Sequence, residues 1–223
     1  MNSHNFYYNN RSYDVYYPIE NNSSVVKALI NQRVWEKKLV EIFKYYIKPN
    51  HIILDVGAYI GTHSILFSRL GKKVYAFEPQ KLVGKCLSNT ISSNNINNIL
   101  FYNIALYSNE GQEVFGSNND GDSSLNSARK KKFNQNYLVK TKTIDSFNFD
   151  RVDFIKIDTE GSEFDVLKGG YKTIINQRPV IVIEVFSTNV KLKKLEHWCI
   201  DVGYTSTKIN KENYLLLPEE FHY

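Results

Sequence analysis

Five carboxylates stand where short apolar runs stop. Asp55 follows "IIL", Glu78 closes "VYAFE", Asp158 and Glu160 follow "FIKI", and Glu184 closes "VIVIE". Acids gathered in this way can accept a proton, hold a divalent metal, or serve as a hydrogen-bonded scaffold for loops. Lys156 interrupts an otherwise apolar strand, and the two-residue period of a strand puts it on the same face as Asp158. A Lys–Asp contact there offsets the cost of desolvating either charge. Asp158 is the first choice for a proton acceptor, with Glu160 or Glu184 orienting an acceptor group. His63, at a helix N-terminus that disfavours imidazolium, is the competing base.

The stretch "ILDVGAYIGTHSILF", Ile53 to Phe67, carries the second constellation. Gly57 permits a backbone conformation that other residues resist, Gly61 lets a helix start close to a ligand, and the first turn from Thr62 offers unpaired N–H groups. The spacing Gly57-x-x-x-Gly61 is not the G-x-G-x-x-G of dinucleotide binders, and no Gly-Lys-Ser/Thr phosphate loop is present. Asp55 would repel a pyrophosphate and welcome an ammonium, which favours S-adenosylmethionine over NAD. Glu78 lies at the separation expected of an acid that grips ribose hydroxyls.

Short β-like runs alternating with helix-length segments position these residues, the signature of parallel strands joined by crossovers. Strands are expected at Ile52 to Val56, Lys73 to Phe77, Ile99 to Ile104, Asp153 to Asp158 and Val180 to Val185. Helices are expected at Thr62 to Leu70, Lys81 to Asn94, Glu163 to Asn176 and Val190 to Val202, with Ser162 a cap for the third. Tyr204 to Ile209 and Asn213 to Leu217 make a closing pair. Residues 1–50 read as an irregular tyrosine-rich segment followed by one amphipathic helix, Val25 to Ile47, capped by Ser23 or Ser24 and packed on a domain of residues 51–223. Residues 106–136, with "SNEG" and "SNNDGDSSLNS", read as a long inserted loop, either functional or without fixed structure.

The composition fits one substantial core: 223 residues, 42% hydrophobic and 14% aromatic. The net charge of +5 is scattered apart from Arg129-Lys130-Lys131-Lys132, so a nucleic-acid footprint is not indicated. No run approaches about 18 apolar residues and no leader pattern opens the chain, so neither membrane nor secretion is expected. Cys86 and Cys199 fall in helical segments and read as reduced, buried thiols of a cytoplasmic protein.

From about Pro49 to Glu184 the chain resembles the FkbM family of S-adenosylmethionine-dependent methyltransferases. "DVGAYIGTHS" is similar to the family's D-V-G-A-N-I-G, "AFEP" to its second motif, and "TKTIDSF" to its T-x-T-L-D segment. "FIKIDTEGSEFDVLKGG" is close to F-I-K-I-D-V-E-G-x-E-x-x-V-L-x-G, the most specific match. The resemblance implies an α/β, Rossmann-like class I methyltransferase fold: a seven-stranded, mostly parallel sheet with its last strand antiparallel and helices on both faces. It implies transfer to a hydroxyl of a sugar, glycan-like or natural-product acceptor. It implies cofactor contacts from Asp55, Gly57, Ala58, Gly61 and Glu78, with Tyr59 and Thr62 beside them, and a site position for Lys156, Asp158, Glu160 and Glu184. Tyr59 replaces the family's usual Asn, which leaves that side-chain contact open. By analogy with the fold, Asn103 to Ala105 should meet the adenine. No metal ligand is assigned. The rival readings are a non-catalytic cofactor- or glycan-binding protein, an NAD-linked oxidoreductase, and a methyltransferase for a small molecule, protein or nucleic acid.

Overall fold

The computed structural model describes residues 1–8, 10–118, 123–125, 133–186 and 188–221. The basic run at 129–132 lies outside them. The tyrosine-rich start is not irregular: β1 (Asn2–Tyr8) and β2 (Arg11–Tyr17) form an antiparallel hairpin. Tyr13, Val15 and Tyr17 turn inward while Ser12 and Asp14 face solvent, a period of two that tyrosine's amphipathic ring disguises in the sequence. Asn10, at φ 59°, supplies the left-handed backbone that a tight hairpin turn requires.

The expected single helix from Val25 to Ile47 is two. In α1 (Ser24–Ile30) the Ser23 hydroxyl caps the Val26 N–H at 3.3 Å. In α2 (Lys37–Tyr46) Leu39, Val40, Phe43 and Tyr46 make the buried stripe. Left-handed backbone at Gln32 and Glu36 breaks the helix between them and turns Trp35 and Glu36 inward to line a cavity.

The next run is β3 (Ile52–Val56), α3 (Thr62–Leu70), β4 (Lys73–Phe77), α4 (Lys81–Ser93) and β5 (Ile99–Tyr102). The segment read as a loop instead contributes to a small second sheet. That sheet comprises β6 (Ala105–Leu106), β7 (Gly111–Ser117), β8 (Ser123–Leu125) and β9 (Gln135–Lys142), in the order β6-β9-β7-β8. Its strands carry serine, asparagine and glycine because much of the sheet faces water, so the apolar periodicity is faint.

The chain closes with β10 (Phe154–Ile157), α5 (Glu163–Gly169), α6 (Tyr171–Gln177), β11 (Val180–Glu184), α7 (Asn189–Val202), β12 (Tyr204–Lys208) and β13 (Asn213–Pro218). The helix expected from Glu163 to Asn176 breaks at Gly170. A Cβ on the adjacent Gly169 would lie 2.0 Å from the Tyr107 carbonyl oxygen, so the helix end packs against the backbone after β6.

The main sheet runs β12-β13-β11-β10-β3-β4-β5, with β13 antiparallel to both neighbours and the other pairs parallel. Helices cover both faces, as the α/β expectation required. Leu54, Ile155, Ile181 and Leu216 pack against Val166, Ile174 and Leu195 of α5, α6 and α7. On the other face Ile53, Phe154 and Val182 pack against Phe43, Phe67 and Leu87 of α2, α3 and α4. Phe43 is the centre of that face: it is fully buried, with ring edges against Phe67 at 4.9 Å, His63 at 5.2 Å and Phe154 at 5.8 Å. Phe43→Ala is expected to cost about 3–5 kcal/mol of stability. Urea unfolding reads it as a lower midpoint with an unchanged slope; a loss below about 1 kcal/mol would mean this face is packed differently.

Candidate functional site

The carboxyl ends of β3, β4, β10 and β11 open on one cavity of about 570 Å³, within the size range of small-molecule and cofactor pockets. It lies where open parallel sheets bind ligands. Its floor is the bend after β3. The N–H groups of Gly57 and Ala58 both donate to the Phe77 carbonyl at 3.0 Å, pinning the bend to the end of β4. Gly57 adopts φ 80°, and a Cβ there would stand 1.7 Å from the Asp158 carbonyl oxygen. The bend and the loop after β10 are therefore in backbone contact.

Glu78 is anchored by backbone donors: Tyr59 N–H reaches its Oε2 at 3.0 Å and Gln80 N–H its Oε1 at 2.8 Å. Burial pushes its pKa up to about 7 against the pull of those two donors. Tyr59, left-handed at φ 52°, uses its hydroxyl to donate to Ser23 Oγ at 3.0 Å and to accept from Asn21. Tyr59 thus ties the bend after β3 to the N-terminal segment.

Lys156 lies opposite Asp55 in the β10–β3 register and is buried. Its Nζ sits 3.2 Å from Asp158 Oδ2 and 3.5 Å from Asp55 Oδ1, and donates to the Gly57 carbonyl at 2.9 Å. The contact with Asp158 expected from alternation is present. Burial works against the ammonium, but Asp158, Asp55 and Glu36 outweigh it and hold the pKa above the usual lysine range. Asp55 differs from expectation. It is wholly buried, takes the Ser64 hydroxyl at 2.5 Å on Oδ2, and does not line the cavity. Burial raises its pKa against Lys156 and Ser64, and its part is to hold Lys156 from beneath.

Glu184, Asp158 and Glu160 each bring one carboxylate oxygen within 4.8 Å of the others. Burial and repulsion from Asp158 and Glu160 raise Glu184 to about 9, and it hydrogen-bonds Asp158. Burial and its acidic neighbours thus favour the protonated form of Glu184. The spacing is also compatible with a divalent cation. Glu163, overlooked in the sequence except as a helix start, braces this loop: its Oε1 accepts from Gly161 N–H at 2.6 Å and Thr159 Oγ1 at 3.2 Å. Ser162 makes no capping bond to α5.

His63 lines the cavity but its Nε2 points at Glu36 Oε2, 3.8 Å away. Burial, aided by the nearby Lys156, pushes its pKa down to about 3 and keeps it neutral. Glu36 was also missed; burial and the nearby Asp158 raise it to about 7, opposed by Lys156 and by a 3.3 Å bond from Asn213 Nδ2. The one sequence signal is the five-residue step from Val34 to Leu39, where the helical stripe slips phase.

Gly57, Ala58, Tyr59, Thr62, Glu78 and Ala105 line the cavity. Gly61 and Asn103 do not. Gly61 caps α3 at φ 89°, and Asn103 Nδ2 donates to the Glu78 backbone carbonyl at 2.7 Å, bracing the chain at the acid. An anchored buried carboxylate beside the apolar Phe77, Ile104 and Leu106 suits a nucleoside, with the acid toward a diol and the apolar wall toward a base.

Among the carboxyls whose folded pKa values are raised, the three that reach about 7 or 9 set a pH dependence around neutrality. Each stabilises the fold below its ordinary value of 4.5, and that contribution is lost as pH rises through about 7 for Glu36 and Glu78 and about 9 for Glu184. Glu184→Gln removes the highest of the three. Its melting temperature is expected to fall by several degrees less than that of the parent chain between neutral and alkaline pH; parallel decline in thermal melts would place the proton elsewhere.

The model of the methyltransferase FkbM domain matches residues 55–206. The chain belongs to the FkbM methyltransferase family. It is 26% identical over 153 residues to the 2-O-methyltransferase NoeI of Sinorhizobium fredii, an alignment that covers 59% of this chain and 62% of that relative. Among solved structures, the FkbM methyltransferase of Methylobacillus flagellatus superposes with a TM-score of 0.57 at 18% identity, covering 80% of this chain and 50% of that one. A Streptococcus mutans protein solved in complex with SAH superposes at 0.53 with 13% identity, covering 81% and 94%. These two likenesses establish the class I methyltransferase fold. Residues before 55, including those that hold Tyr59 and supply Glu36, lie ahead of the family match.

Proposed function

We propose that the chain is an S-adenosylmethionine-dependent O-methyltransferase for a hydroxyl of a sugar or glycan-like acceptor. The observation that carries this reading is the anchored Glu78 sharing one cavity with Asp158, the two facing it from the ends of β4 and β10. The name of the Sinorhizobium fredii relative supports a hydroxyl acceptor. In this reading residues 51–223 are the methyltransferase domain and residues 1–50 complete its acceptor side. Two buried free thiols fit a reducing cytoplasm, and among the described residues no helix is long and apolar enough to cross a membrane.

Glu78 would hold the ribose diol, the bend at Gly57 to Tyr59 and Thr62 the amino-acid end, and Ala105 the adenine. When bound, the cofactor supplies an electrophilic methyl group. The chain's own work is positioning and proton handling. Asp158, ion-paired with Lys156, accepts the proton of the acceptor hydroxyl, and Glu184 beside it orients the acceptor through its carboxyl oxygens. Glu160 flanks them. His63, turned toward Glu36, leaves the role of base to Asp158. Calorimetric titration with S-adenosylmethionine and with NAD, followed by a methyl-transfer screen over neutral sugars, tests the reading. Heat and transfer with S-adenosylmethionine are expected; heat with NAD alone would overturn it.

A further inference from the structure

The chain passes from the hairpin into α1 along the rim of the cavity. Before the passage, β2 is held on α4, where Asp14 N–H donates to Asn94 Oδ1 at 2.9 Å and Tyr16 N–H to Thr90 Oγ1 at 3.0 Å. After it, Val26 and Leu29 of α1 bury in one small core with Tyr13, Val15, Ile60 and Ile65. Between these anchors Asn22, Ser23, Ser24 and Val25 line the same cavity as Glu78 and Asp158. Tyr59 reaches them from the bend. Its hydroxyl donates to Ser23 Oγ at 3.0 Å and accepts from the buried Asn21, whose Oδ1 takes the Ser23 N–H at 2.9 Å. The backbone N–H of the same tyrosine holds Glu78 Oε2 at 3.0 Å. One left-handed residue, at φ 52°, is thus bonded at its backbone to a cavity acid and at its side chain to the N-terminal wall.

We infer that Tyr59 is a positioning residue whose hydroxyl couples the cofactor side of the cavity to the wall of residues 21–25. A ligand held by Glu78 and the bend restrains Tyr59, and the restrained phenol holds Asn21 and Ser23 in place. The wall gives up its conformational freedom when the cofactor binds, so a second ligand that touches it meets a surface already ordered. Such a coupling is reciprocal: the ordered wall strengthens cofactor binding by the factor with which the cofactor orders the wall. The inference rests on the methyl-transfer reading. It adds a link between the family match, which begins at residue 55, and a segment that lies ahead of it.

Hydrogen exchange of the full chain with and without saturating SAH tests the coupling. The amides to follow are those of Asn21, Ser23 and Val26, bonded to the Pro18 carbonyl, Asn21 Oδ1 and Ser23 Oγ. In the parent chain SAH is expected to slow them roughly fivefold or more. In Tyr59→Phe most of that slowing is expected to vanish while the Asp14 and Tyr16 amides exchange as in the parent. Calorimetry should then show SAH bound more weakly by about the factor of protection lost, a match that a merely structural residue would not give. Asn21→Ala leaves the tyrosine in place and cuts the same path from its other end, and the double variant is expected to lose no more than either single one. Wall amides unmoved by bound SAH in the parent would overturn the inference. So would slowing that survives in both variants, or protection lost with SAH affinity unchanged. Absence of SAH binding by the parent chain strikes instead at the methyl-transfer reading.

Discussion

Asp158→Asn is expected to lower turnover by roughly 10²–10⁴-fold while the affinity for S-adenosylmethionine changes little. The amide keeps the size of the carboxylate but cannot take a proton from a hydroxyl. Lys156 retains Asp55 and the Gly57 carbonyl, so the floor of the cavity survives the change. Glu184 loses the charge that helps raise its pKa and should ionise at lower pH. Steady-state rates with calorimetric affinities separate the outcomes. Turnover within about threefold of the parent would remove Asp158 from the role of base, and a matching loss of cofactor affinity would make it a binding residue.

Gly57→Ala is expected to abolish cofactor binding and to destabilise the fold. Two costs combine there: left-handed backbone at φ 80° penalises any Cβ, and this Cβ meets a backbone oxygen at 1.7 Å, which no rotamer can relieve. The bend must lift from the loop after β10. That movement pulls Tyr59 N–H away from Glu78 and the Gly57 carbonyl away from Lys156. A loss on the order of 3 kcal/mol corresponds to roughly 6–12 °C in melting temperature for a chain of this size. A variant that melts with the parent and binds SAH normally would show that the two loops are not in contact.

The alternation of strands and helices from residue 51 onward was legible because parallel strands buried on both faces read as unbroken apolar runs that stop at an acid or a glycine. The same rule located Glu78, Asp158, Glu160 and Glu184 at the cavity. Asp55 was expected at the cofactor, and its pairing with Lys156 depends on a register between β3 and β10 that the sequence does not display. Asn103 was expected beside the adenine, and the bond of its amide to the Glu78 carbonyl is likewise a tertiary contact that the sequence does not display. The strands β7 and β9 and the hairpin β1–β2 hid behind residue types that suit both water and a half-covered sheet. Glu36 left only the phase slip between Val34 and Leu39, because its approach to Asp158 and Lys156 needs a helix break that no proline or glycine announces.

A crystal structure of the chain with SAH tests the central claim most directly. The ribose is expected against the Glu78 carboxylate, the adenine beside Ala105, and the sulfur facing the side of the cavity that holds Asp158. SAH bound away from Glu78, or an Asp158 carboxylate shut off from the sulfur, would contradict it.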